Sequence, residues 1–200
     1  MIDNLKTIIP LLTFQNDGDF YMVHILRRKK DGSADNKHQS VRTIKTYCIE
    51  SHRYLEEKMQ EIRSLCELFG ARAYISINRK NHADVAINMI AEIANRIKSN
   101  QMNQRNVFDS VVGRTAGLDK RFIVDIDGPV DVDKIIGIVN GVRPIGDKIK
   151  AVISTKNGVH LITDRFDVME FNSKLQPEDD ISIHKNNPTL LYYPNSLNKS

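Results

Sequence analysis

Three aspartates carry the densest chemistry in this chain. Asp125 and Asp127 stand two residues apart in RFIVDID (121–127), and Asp180 opens DISIH (180–184). Side chains alternate along a strand, so Asp125 and Asp127 point to one side. Three carboxylates converging there make a hard oxygen site, suited to Mg2+ or Mn2+ rather than to a soft metal. Two such ions about 3.5–4 Å apart activate an attacking hydroxyl and stabilise the leaving oxygen in phosphoryl transfer. A second group lies in STKNGVH (154–160). Ser154, Thr155, Lys156, Asn157 and Gly158 offer backbone N–H groups, hydroxyls and an ammonium, the components of a phosphate cradle. His160 adds a hydrogen-bond donor or a proton-transfer group. Each feature alone has a plainer reading, the aspartates as a solvated sheet face and His160 as a structural residue. Their joint placement is what points to a site.

That placement depends on the elements around it. RFIVDID reads as a strand and DVDKIIGIVN (131–140) as a helix, with Val132, Ile135, Ile136 and Val139 on one side. Asp131 and Asp133 belong to the start of that helix, where acidic groups suit the dipole. KIKAVIS (148–154) and VHLIT (159–163) read as strands joined by the turn TKNG. DRFDVMEFNSKL (164–175) reads as a helix with Asp164 as candidate N-cap, and DISIH as a last strand. The order β-α-β-β-α-β predicts a ferredoxin-like or RRM-like α+β core. In such a sheet the first and third strands are central and the helices cover one face. The period of two then leaves Asp125, Asp127, Asp180 and His160 on the free face, with Ser154 at its edge. Asp179 takes the place of Asp180 if that strand slips by one residue; alternation favours Asp180. Ser182 and His184 share the site face.

The first half is expected to form a small α+β unit over 1–106, packed on the core at 107–200 as one compact domain. Strands are expected at about 20–26 and 41–49. Between them, RRKKDGSADNKHQS (27–40) is a polar loop whose Arg27, Arg28, Lys29 and Lys30 are either solvated or in contact with phosphates. A helix at 52–69 carries Leu55, Met59, Ile62, Leu65, Cys66 and Phe69 as its stripe and Gly70 as its cap. ARAYISI (71–77) is a strand. A helix at about 83–99 carries Val85, Met89, Ile90, Ile93 and Ile97, read as a core-facing stripe. A polar connector follows at 100–106. His24, His38, His52 and His82 show no metal-ligand spacing.

The site residues resemble the catalytic core of the archaeo-eukaryotic primase superfamily, the primase-polymerases. Its first motif, a hydrophobic strand ending Asp-x-Asp, is similar to Ile123-Val124-Asp125-Ile126-Asp127. Its second, Ser-x-x-x-Gly-x-His, is similar to Ser154 through His160. Its third, an Asp on a strand followed by Pro-x-Ser-Leu-Asn, is similar to Asp180 and Pro194-Asn195-Ser196-Leu197-Asn198. The resemblance covers roughly 120–198. It implies that Asp125, Asp127 and Asp180 hold Mg2+ or Mn2+ in a two-metal site. It also implies that Ser154, Lys156 and His160 contact a nucleoside triphosphate, with Thr155 and Gly158 in the same turn. The implied reaction is templated nucleotidyl transfer to a 3′-hydroxyl, in replication or repair of a mobile element. The implied partners are a single-stranded DNA or RNA template and nucleoside triphosphates. With the chain ending at Ser200, a helicase or accessory replication protein is expected as a separate chain. The sequence departs from the family pattern at Thr155, where Gly is common, and at Tyr192 and Tyr193, where a basic residue precedes the third motif.

Composition sets the outer bounds. The chain has 200 residues, 40% hydrophobic and 27% charged, which argues against wholesale disorder. It lacks a run of about 18 apolar residues, so no transmembrane helix is expected, and its N-terminus is a poor signal peptide. Cys48 and Cys66 form no CxxC pair, and a reduced, cytoplasmic setting is expected. The net charge of +4 leans toward polyanionic partners. Two other functions fit parts of this pattern. A nucleic-acid-binding module of the same fold without activity would show aromatic side chains on the open sheet face, where carboxylates are expected. A haloacid-dehalogenase-like phosphatase would open on VDIDG but needs alternating parallel strands, against which the TKNG hairpin argues.

Overall fold

Among the described residues, side-chain caps open four of the helices. Ser51 accepts a hydrogen bond from the Tyr54 N–H and so opens the helix His52–Phe69 (α2). Gly70 ends it at φ +55°, in the left-handed conformation that glycine adopts without strain. The computed structural model describes residues 1–28, 42–101, 107–176 and 180–194. Before α2 come β1 (Ile2–Asp3), a four-residue helix α1 (Leu5–Ile8), β2 (Asp19–Arg27) and β3 (Arg42–Ile49); β4 (Arg72–Ser76), β5 (Lys80–Asn81), α3 (His82–Lys98) and α4 (Val107–Arg114) follow it. The second half holds β6 (Phe122–Asp127), α5 (Val132–Gly141), β7 (Ile149–Ser154), β8 (Gly158–Thr163), α6 (Val168–Lys174), β9 (Ile181–His184) and β10 (Pro188–Tyr193). The fold is mixed α+β with antiparallel sheets.

Among the described residues the strands form two sheets. One runs β1-β10-β4-β2-β3, with β5 paired to the start of β2; the other runs β7-β8-β6-β9. All their pairings are antiparallel. The last strand, β10, returns to the first sheet and lies between β1 and β4, so the chain stitches the two sheets together. Tyr192 and Tyr193 are buried there, as packing residues.

Alternation along β6 sends Phe122, Val124 and Ile126 one way, into a core with Ile135 and Val139 of α5 and Phe171 of α6. Ile123 goes the other way. With Ile153 and Ile162 it enters the core that also holds Ile8, Tyr21, Leu55, Ile75 and Tyr192. The face opposite α5 and α6 is therefore not free, as the sequence reading has it. Its apolar half is covered by the first sheet and α1, because leaving three isoleucines in water is costlier than burying them. Among the described residues the end carrying Asp125 and Asp127 stays open. Asn4 spans the joint, its side-chain amide donating to the Ser154 and Leu190 carbonyls at 2.9 Å each.

Two local expectations are corrected. The helix expected from Asp164 begins at Val168. Asp167 caps it, accepting from the N–H groups of Met169 and Glu170, while Asp164 pairs with Lys150 at 2.8 Å. Both aspartates are suitable caps, and the one followed directly by the helical stretch Val168–Lys174 takes the role. On α3, Val85 is buried and Met89 and Ile93 pack against the core, but Ile90 and Ile97 face outward. A helix turns about 100° per residue, so these five residues cannot share one narrow face. Phe69, at the end of α2, is likewise partly exposed. Among the described residues no helix is long and apolar enough to cross a membrane.

Candidate functional site

The register of β6 assembles the site. Asp125 lies opposite His160 on β8 and Ser182 on β9, and Asp127 lies opposite Gly158. Residues directly opposite in an antiparallel pair project to the same face. Asp180 sits just before β9, next to Asp127: its carbonyl accepts the Asp127 N–H at 3.3 Å. Gly158 is needed for this arrangement. A Cβ there would stand 1.9 Å from the carbonyl oxygen of Ile126. The turn before it closes on itself. The Thr155 N–H donates to the Gly158 carbonyl, the Gly158 N–H to Thr155 Oγ1, and the Gly128 N–H to the Asn157 carbonyl. The amides of Thr155 and Gly158 are thus occupied within the turn. Of the cradle expected here, what reaches the cleft is Thr155, Lys156 and Asn157.

A cleft of about 170 Å³ opens over these residues. Asp125, Asp127 and His160 line it from the second sheet, beside the turn residues. Arg28, Arg72 and Tyr74 line it from the first sheet. His184 at the end of β9, Asn187 and the start of β10 complete the lining. The cleft therefore joins Asp125, Asp127, Thr155, Lys156 and His160 from the expected set. Asp180 and Ser154 are exposed beside the cleft but do not line it. Asp179, Lys29, Lys30, His38 and Asn195 through Asn198 lie outside the described residues.

Asp125 is the most constrained of these groups. Its Oδ1 is 3.2 Å from His160 Nε2, and its Oδ2 is 3.8 Å from His184 Nε2. The hydrogen bond from His160 holds the Asp125 carboxyl below its ordinary range; partial burial opposes this, and the charges of His160, His184 and Arg28 reinforce it. The other nitrogen of His160, Nδ1, lies 2.9 Å from the Thr189 hydroxyl on β10. With Nε2 donating to the carboxylate, Nδ1 accepts from Thr189 in the neutral ring and donates to it in the imidazolium. His184 Nε2 also meets Ser182 Oγ at 3.0 Å. His52 and His82 serve elsewhere, with the Leu12 carbonyl and the Glu50 carboxylate.

The cleft carries charges of both signs, with one more cation than carboxylates. Arg28, Arg72 and Lys156 stand against Asp125 and Asp127. Arg72 is buried, its guanidinium 4.7 Å from the Tyr193 ring centre; Lys156 stands 5.8 Å from the same ring, and Arg28 stands 5.6 Å from that of Tyr74. The cations offset the repulsion that the two carboxylates alone would exert on an anion. Arg72, Tyr74 and Thr189 carry no signal in the sequence, since their arrival depends on how one sheet packs on the other. Arg28 was legible as part of the basic run. Among the described residues no three His, Cys, Asp or Glu side chains are grouped to hold a metal ion. Asp125 is turned toward His160, and Asp180 lies to one side.

No family model, curated protein or solved structure matches this chain.

Proposed function

We propose that this chain is a metal-dependent nucleotidyltransferase of the primase-polymerase type, synthesising or extending a strand on a DNA or RNA template. Its catalytic unit in this reading is a ferredoxin-like sheet. The order β7-β8-β6-β9, with α5 and α6 on one face, supports that choice. One observation carries the proposal. Asp-x-Asp on β6 and the Lys156 to His160 stretch, far apart in sequence, line one polar cleft with arginines from the other sheet.

Carboxylate oxygens are the ligands a hard divalent ion takes, and Asp125, Asp127 and Asp180 are the residues that would hold it once Asp125 turns from His160 and Asp180 comes in beside Asp127. Bound there, Mg2+ or Mn2+ would supply positive charge for the phosphates and the attacking hydroxyl. Lys156, Arg72 and His160 orient the triphosphate, with His160 exchanging the Asp125 carboxylate for a phosphate oxygen while Thr189 keeps its ring in place. A cleft of about 170 Å³ is smaller than those that enclose whole ligands, so the base and template lie outside it.

A second reading, a nucleic-acid-binding module without activity, is favoured by the pairing of Asp125 with His160 and by the lack of a grouped metal-binding triad among the described residues. Incorporation of a labelled nucleotide on a primed template separates the two. The enzyme requires Mg2+ or Mn2+ and loses at least 100-fold in rate as Asp125→Ala/Asp127→Ala. Template binding with no incorporation under either metal, or full activity in the double variant, removes the enzyme reading.

A further inference from the structure

Helix α3 has two apolar faces. One, with Val85, Met89 and Ile93, packs on Phe20, Met22 and α4. On the adjoining face, about a third of a turn round the helix, Ile87 is 66% exposed, Ile90 70% and Ile97 55%. Isoleucine is a poor choice for a solvated helix position, since branching at Cβ costs it rotamer freedom without any packing in return. The spacing is regular. Ala83, Ile87, Ile90, Ala94 and Ile97 recur at intervals of four and three, the a/d seam of a heptad rather than scattered surface residues. An apolar seam of this kind on a helix already packed on its adjoining face calls for a second helix.

We infer that α3 pairs with α3 of a second copy of this chain, antiparallel about a two-fold axis near residue 92. The pattern is self-complementary in that direction. Ile87 meets Ile97 of the partner at both ends, and Ile90 meets the smaller Ala94 on either side of the axis, so large faces small across the centre. The flanking charges select the same direction. Asp84 lies in the first turn and Lys98 in the last, both on one edge of the seam. Antiparallel pairing sets Asp84 of each copy beside Lys98 of the other and opposes the helix dipoles favourably. Parallel pairing would set this edge against the other edge of the partner's seam and bring Asp84 and Lys98 together nowhere. Two-fold pairing uses the same patch on both copies and closes as a dimer. The seam spans about four turns, so the interface is at the small end of specific contacts and the dimer is expected at micromolar concentrations.

Sedimentation velocity of the full chain over about 5–500 µM tests this. The expected result is a monomer–dimer equilibrium within that range. Ile90→Glu should weaken it at least tenfold, as should Ile87→Lys, with circular dichroism unchanged because both positions are exposed. Asp84→Lys alone and Lys98→Glu alone should each weaken it about fivefold, and the two together should restore it. A monomer throughout the range overturns the inference, and so does a dimer indifferent to Ile90→Glu and Ile87→Lys. Single charge reversals without effect overturn the antiparallel arrangement. A monomer that co-floats with phosphatidylglycerol vesicles assigns this face to a lipid surface instead, and overturns the inference as well.

Discussion

Replacing Gly158 by alanine tests the closest approach in the site. The added Cβ would lie 1.9 Å from the Ile126 carbonyl oxygen, 3.0 Å from its carbon and 3.2 Å from Asp127 Cα. All three obstacles are backbone atoms of the central strand β6, so no side-chain rotation relieves the clash. β8 must move away by more than an ångström where it pairs with Asp127. Overpacking of a tight site costs about 1–3 kcal/mol, and each ladder hydrogen bond lost adds about 1 kcal/mol. Alanine also reduces the freedom of the unfolded chain, which offsets about 0.4–1 kcal/mol. The net expectation is a destabilisation of about 2–3 kcal/mol. Two other glycines calibrate the scale. Gly128 has open space around it but φ of +80°, so Gly128→Ala should cost about 1 kcal/mol from backbone strain alone. Gly137 is exposed inside α5 with nothing within 4 Å, so Gly137→Ala should stabilise by about 0.5–1 kcal/mol. Urea denaturation of the three variants gives the order directly. A Gly158→Ala protein within about 0.5 kcal/mol of the parent would refute the close packing of β8 on β6, and with it the placing of Lys156 beside Asp127.

Other outcomes follow from the same structure. Phe171 is fully buried between α6 and the second sheet, against Phe166 at 5.2 Å, so Phe171→Ala should cost about 3–5 kcal/mol in denaturant unfolding. Ser51→Ala removes the cap of α2 and should cost about 1 kcal/mol, read as a fall of about 2–4 °C in Tm. The Asp125 carboxyl is held below its unfolded value, so its contribution to stability is complete above about pH 4 and is lost as pH falls through the lowered folded value. Asp125→Asn should therefore be less stable than the parent at pH 7, and the gap should close below about pH 4. A gap that persists unchanged in acid would show that the ionised Asp125 carboxylate is not its source.

Much of this was legible along the chain because it is local. Ser51 and Gly70 bracket α2 through their own hydrogen bonds and φ, whatever surrounds them. The alternation of Phe122, Val124 and Ile126 against Ile123, Asp125 and Asp127 needs only the period of a strand. Less legible were choices between equivalent local signals. Asp164 and Asp167 are both good caps, and packing of the following residues decided between them. Ile90 and Ile97 read as core because periodicity states that a helix has an apolar stripe, not how many partners it has.

The order of the motifs, the type of each residue and the side of its strand to which it projects follow from the chain alone, since they depend on neighbours within a few positions. What surrounds Asp125 does not. Thr189 behind His160, Arg72 across the cleft and the covering of Ile123, Ile153 and Ile162 all come from β10 and β4 of the other sheet and from the helix α1. Nothing local places them there. The burial of apolar surface between the two sheets sets that contact, and it thereby determines which end of the β6 face stays open to solvent and which cations stand beside its carboxylates.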